Sequence, residues 1–130
     1  MPNSELAKYV KTVGMKGISD GLTADSKGSV VFGNVEESAV FVWQSGQPIN
    51  TAKIIAQDAS VMQWPDTFAW ASGNEPIVYF VSNKLQLFTS GTMKFDGSDG
   101  ANFRIFQLNV TADSYLTGNP IPPQMQCQVN

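Results

Sequence analysis

This chain says nearly the same thing twice. Ser19-Asp20-Gly21-Leu22-Thr23-Ala24 leads through a turn into Val30-Val31-Phe32-Gly33-Asn34, and then into Ala39-Val40-Phe41-Val42-Trp43. Pro65-Asp66-Thr67-Phe68-Ala69-Trp70 leads in the same way into Val78-Tyr79-Phe80-Val81-Ser82-Asn83 and Lys84-Leu85-Gln86-Leu87-Phe88. Asp20 and Asp66 hold the same place in the two copies, so the period is roughly 45 residues. With about four short strands per unit, that period belongs to β-propeller blades. A single four-stranded blade leaves both faces apolar and covers them only by stacking on a neighbour.

Gly and Pro break the chain into segments rich in Val, Ile, Phe, Thr and Tyr, the pattern of short strands and turns. Strands are predicted over Tyr9–Val13, Gly21–Asp25, Ser29–Gly33, Ala39–Gln44 and Ala52–Gln57. A second series is predicted over Thr67–Ala71, Ile77–Val81, Lys84–Thr89 and Phe103–Leu108. Only Ser4–Tyr9 and Gln57–Met62 are candidates for short helices, and neither shows a sustained 3.6-residue stripe. The expected fold is all-β, a partial β-propeller of about two four-stranded blades forming a single domain over 1–130. Blade one covers about 9–57, blade two about 62–108, and an extended tail about 117–130. Pro122 and Pro123 in that tail oppose helix and central strand alike.

Composition narrows the function. A hydrophobic fraction of 42% with only 15% charged residues suits a folded chain. The net charge is −3 with no run of Lys or Arg, so a phosphate backbone finds no basic stripe and nucleic acid is not an expected partner. No apolar stretch reaches the ~18 residues that span a bilayer, so no membrane is expected. There is no histidine, which excludes a Ser-His-Asp triad, a Cys-His pair and a His-ligated zinc site. The single Cys127 has no internal disulfide partner; it could pair with another chain, but reads first as a free thiol. The opening MPNSELAKYVKTVG lacks an apolar core and does not read as a secretory signal, so the chain either stays inside the cell or follows a signal lying upstream.

Several residues could carry chemistry. Asp20 and Asp66 stand at equivalent places leading into the first strand of each repeat, where carboxylates could hold a cation or an ammonium group. They could equally accept backbone N–H bonds in their own turns, which explains both copies at once. Asn83 closes a hydrophobic strand and offers an acceptor and two donors, with Asn34 as its counterpart; both also read as turn asparagines. Thr67 could present a hydroxyl, although a β-branched strand residue needs no further reason to be there. Trp43, Trp64 and Trp70, with Phe32, Phe41, Phe68, Phe80 and Phe88, read as packing between blades before they read as a ligand stack. Asn102-Phe103-Arg104 reads as a strand anchor with Arg104 paired to a carboxylate. Asn109-Val110-Thr111 fits the N-glycosylation acceptor pattern.

Taken in order, Lys16-Gly17-Ile18-Ser19-Asp20-Gly21-Leu22, Phe32-Gly33, Ala39-Val40 and Trp43 resemble one blade of the major royal jelly/yellow protein family. Trp64-Pro65-Asp66-Thr67-Phe68, Val81-Ser82-Asn83-Lys84-Leu85-Gln86 and Asn102-Phe103-Arg104-Ile105 resemble the next. The likeness covers roughly residues 9–108 and falls in the C-terminal part of the family fold. It implies a six-bladed propeller with a central tunnel and an extracellular protein. Some members bind biogenic amines in that tunnel, others are linked to pigment and melanin chemistry, and others are nutritive. The positions matching the amine contacts are Thr67, Asn83 and Leu85. About two blades of six are present here, so any carried-over site is at best half a site.

The leading expectation is therefore a non-catalytic propeller protein binding a small aromatic amine through Asn83 and Thr67, with no cofactor. An enzyme is the alternative. In a metal-dependent lactonase or esterase, Asp20 and Asp66 would ligate a divalent cation such as calcium; the yellow-type version would convert dopachrome-like compounds. A third reading is a truncated structural fragment without activity of its own. Its exposed blade faces and edges would be met by missing blades or by a homo-oligomer, three copies closing a six-blade ring.

Overall fold

The structure, a computed structural model, describes residues 3–71 and 75–116. A helical turn α1 (Asn3–Leu6) runs into a 3₁₀ turn (Ala7–Tyr9) and an exposed arm. Strands β1 (Leu22–Ala24), β2 (Ser29–Asn34), β3 (Ala39–Gln44) and β4 (Lys53–Gln57) follow, and then β5 (Trp64–Trp70) and β6 (Ile77–Asn83). Helix α2 (Leu85–Thr89) and β7 (Arg104–Asn109) complete the described elements. The chain is all-β, a partial propeller of two antiparallel sheets. One sheet has the order β1-β2-β3-β4 and the other β5-β6-β7.

Register decides which side chains share a face. In the first sheet Val31 pairs with Val42 and Thr23, while Gly33 pairs with Val40 and Val40 with Ala56. In the second, Phe80 pairs with Phe68 and Phe106, and Val78 with Leu108. These two faces meet. Val31, Val40, Met62 and Phe80 form one buried cluster, with Val42, Ala56, Phe68, Phe106 and Leu108 packed on it. The sheets thus hide their apolar sides against each other, as stacked blades must. Within the second sheet Phe80 stacks between Phe68 and Phe106, with ring centres 5.3 and 5.0 Å away.

Two glycines let the sheets approach. A Cβ on Gly33 would lie 2.6 Å from the Pro65 carbonyl oxygen, and a Cβ on Gly21 would collide with the Asp66 carbonyl. Indoles from β5 then fasten the contact. Trp64 Nε1 donates to Asp20 Oδ2 at 2.8 Å, and Trp70 Nε1 donates to Thr23 Oγ1 at 3.0 Å. Trp43 donates to the Gln47 carbonyl in its own turn. All three tryptophans serve the frame.

The outward faces differ. On the first sheet Phe32 stacks on Phe41, and the Lys16 ammonium lies over the Phe32 ring at 5.3 Å, its pKa lowered by partial burial. Phe32 is only 3% exposed. On the second sheet the outward face carries Tyr79 and Ile105, the latter 77% exposed.

Three expected elements are corrected. Lys84–Thr89 is not a strand; Leu85–Thr89 is helix α2, and the third strand of the second sheet is β7. That sheet accordingly has three strands among the described residues, not four. The reason is local. Asn83 Oδ1 accepts the Leu85 N–H at 2.9 Å, which turns the chain, and the Lys84 carbonyl takes the N–H groups of Leu87 and Phe88. Leu and Gln are good helix formers once the ladder is left. Tyr9–Val13 is not a strand either, since no neighbouring edge among the described residues pairs with it. Gln57–Met62 is a capped turn rather than a helix. Asp58 Oδ1 takes the Ser60 hydroxyl and the N–H groups of Ser60 and Val61, which holds its carboxyl below the usual range. The turn delivers Met62 into the core. The expected tail over 117–130 and Cys127 lie outside the described residues.

Candidate functional site

Strand β6 ends at Asn83, and everything that makes a site follows from how it ends. The next strand, β7, does not begin until Arg104, so residues 84–103 form a long connection at one end of the second sheet. Polar contacts pin that connection down. Lys84 is 3% exposed and its Nζ donates to the Asp99 carbonyl at 2.7 Å. Gln86 Nε2 donates to Gln63 Oε1, Asn102 Nδ2 donates to the Lys94 carbonyl, and Lys94 pairs with Asp99 at 3.4 Å. Arg104 donates to the Ala101 carbonyl; the carboxylate partner expected for it is replaced by a backbone oxygen.

With its backbone so held, the connection turns its apolar side chains to one another. Asn83, Leu85, Phe88, Met93, Phe95 and Phe103 line a pocket of about 280 Å³. Among the described residues of that lining Asn83 is the one polar residue. Its Nδ2 donates to Asp66 Oδ2 at 3.1 Å and its Oδ1 accepts from Leu85. One amide N–H and one carbonyl lone pair are left over from that count, enough to orient a ligand. Asp66 also receives the Thr67 hydroxyl at 3.1 Å, so Asp66 fixes the amide from behind.

The structure brings together two of the three sequence-predicted ligand residues. Asn83 and Leu85 share the pocket wall. Thr67 is exposed on β5 and reaches the site only through Asp66. Asp20 and Asp66 are both engaged, with side-chain donors rather than their own turns: Asp20 with the Trp64 indole, Asp66 with Asn83 and Thr67. Calcium takes about six to eight oxygen ligands. Among the described residues no group of three or more His, Cys, Asp or Glu side chains gathers as a metal site. Asn34 is the structural counterpart of Asn83: it closes β2, and its Oδ1 accepts the Glu36 N–H at 3.0 Å. Asn109 closes β7 and is exposed.

Sequence reasoning missed Met93 and Phe95, and it assigned Phe88 to blade packing and Phe103 to a strand. The available signal was an apolar residue every few positions in a stretch too rich in Gly, Ser and Asp to be a strand.

The family model described as major royal jelly protein matches residues 2–117, most of the chain. A search of the curated proteins finds no match.

Proposed function

Because the chain belongs to the major royal jelly protein family, we propose that it is an extracellular, non-catalytic ligand-binding propeller protein. Its ligand is a small aromatic molecule, of the class of the biogenic amines, seated beside Asn83 and Leu85. One observation carries this reading: two positions singled out by family resemblance lie on the wall of one apolar pocket, and Asn83, the polar group among its described lining residues, keeps hydrogen-bonding capacity to spare. Leu85, Phe88 and Phe103 supply apolar surface for a ring, and Asn83 supplies its orientation. Thr67 acts at one remove, by sharing Asp66 with Asn83.

The test is calorimetry of the full chain with serotonin and dopamine. Binding should be seen below millimolar ligand, and Asn83→Ala should weaken it by up to about tenfold, the range expected for one lost hydrogen bond. A folded chain that gives no heat with either amine at millimolar concentration contradicts the proposal.

A further inference from the structure

Asp66 does not line the pocket proposed above, but it holds the Asn83 amide, which does, and the inference drawn from this rests on that reading. Asn83 Nδ2 donates to Asp66 Oδ2 at 3.1 Å, and the Thr67 hydroxyl donates to Asp66 Oδ1 at 3.1 Å. The carboxylate is thus held by both oxygens. The same contacts fix which end of the amide is which. Nδ2 faces a carboxylate and Oδ1 accepts the Leu85 N–H, so a flipped amide would set oxygen against oxygen. Donating to an anion polarises the amide and makes its Oδ1 a stronger acceptor. The spare lone pair of Oδ1 therefore favours a ligand that donates, and a charged donor most.

We infer that Asp66 is a specificity-determining residue of this pocket: through Asn83 it selects a cationic aromatic ligand over an uncharged one of the same shape. A donor on Asn83 Oδ1 would stand roughly 7 Å from the Asp66 carboxylate, the sum of two hydrogen bonds and the width of an amide. Opposite unit charges at that distance attract enough, even at the dielectric of water, to shift affinity about threefold. Phe88, Phe95 and Phe103 are exposed, so the pocket is open and a bound ammonium keeps part of its water. No described lining residue carries a charge that would repel it. The other charged groups of the connection hold partners of their own. Lys84 and Arg104 donate to the carbonyls of Asp99 and Ala101, Lys94 pairs with Asp99, and Asp96 accepts the Ser98 N–H.

Tryptamine and tryptophol share the indole and differ in an ammonium against a hydroxyl, so their affinity ratio isolates the charge. Calorimetry of the full chain at neutral pH and about 10 mM ionic strength, where the Debye length is about 30 Å, should show tryptamine binding about threefold tighter. Asp66→Asn keeps the shape of the side chain and an acceptor for Asn83, and should bring the ratio close to one. A general loosening of the site would instead weaken both ligands together and leave the ratio where it was. In the parent chain the ratio should also fall toward one at about 1 M salt, where the Debye length is about 3 Å, a readout that needs no variant. A ratio near one in the parent at low salt, or a ratio that Asp66→Asn leaves unchanged, overturns the inference and leaves the aromatic-site proposal standing. If neither compound binds and serotonin and dopamine also fail, both the site and this inference fall.

Discussion

Strands β2 and β6 end alike and lead to different things. Each closes on an asparagine, Asn34 or Asn83, whose Oδ1 accepts the N–H two residues on, at 3.0 and 2.9 Å. After Asn34 the chain comes straight back. Glu37 receives the Asn34 amide, and Ala39 pairs across from Asn34. After Asn83 the amide turns instead to Asp66, the chain winds into α2, and residues 84–103 pass before β7 begins. The first connection is only a turn; the second encloses a pocket. The repeat thus supplies the frame and the point where the chain leaves it. The departure from the repeat supplies the site.

That division can be broken from the frame side first. Phe80 is 2% exposed, stacks between Phe68 and Phe106, and belongs to the cluster that joins the sheets. Phe80→Ala should cost about 3–5 kcal/mol in urea unfolding, the usual range for removing a buried phenyl group. A loss below about 1 kcal/mol would mean that the two faces do not pack as described. Gly33→Ala is the next largest effect. The added methyl would press on the Pro65 carbonyl, backbone that cannot swing aside, so a cost of about 1–3 kcal/mol is expected from overpacking. A neutral or stabilising result would show that the sheets stand further apart.

The alternation of Val31, Phe32, Val40 and Phe41 and the recurrence around Asp20 and Asp66 made the two sheets legible in the sequence. Strand pairing follows from which residues can be buried, and that is a local property of the chain. The pocket was only half legible. Asn83 and Leu85 were marked by family resemblance, whereas Met93 and Phe95 sit in a connection with neither helical nor strand period. What brings them to the pocket is a set of contacts to backbone, Lys84 to Asp99 and Asn102 to Lys94, which no periodicity announces. The role of Asp66 was hidden for a related reason. A carboxylate near a turn ordinarily serves that turn. Only the alignment of Trp64 opposite Asn83, with the irregularity that follows it in β5, lets the Asp66 side chain reach across to Asn83.

The central claim is that frame and site are separable. It is tested most directly by replacing residues 84–102 with Val35-Glu36-Glu37-Ser38, the turn that follows Asn34, and measuring urea unfolding and calorimetry on the same preparation. The account predicts a single cooperative unfolding transition and no heat with either serotonin or dopamine. A grafted chain that fails to fold, or that folds and still binds as the parent does, would contradict it.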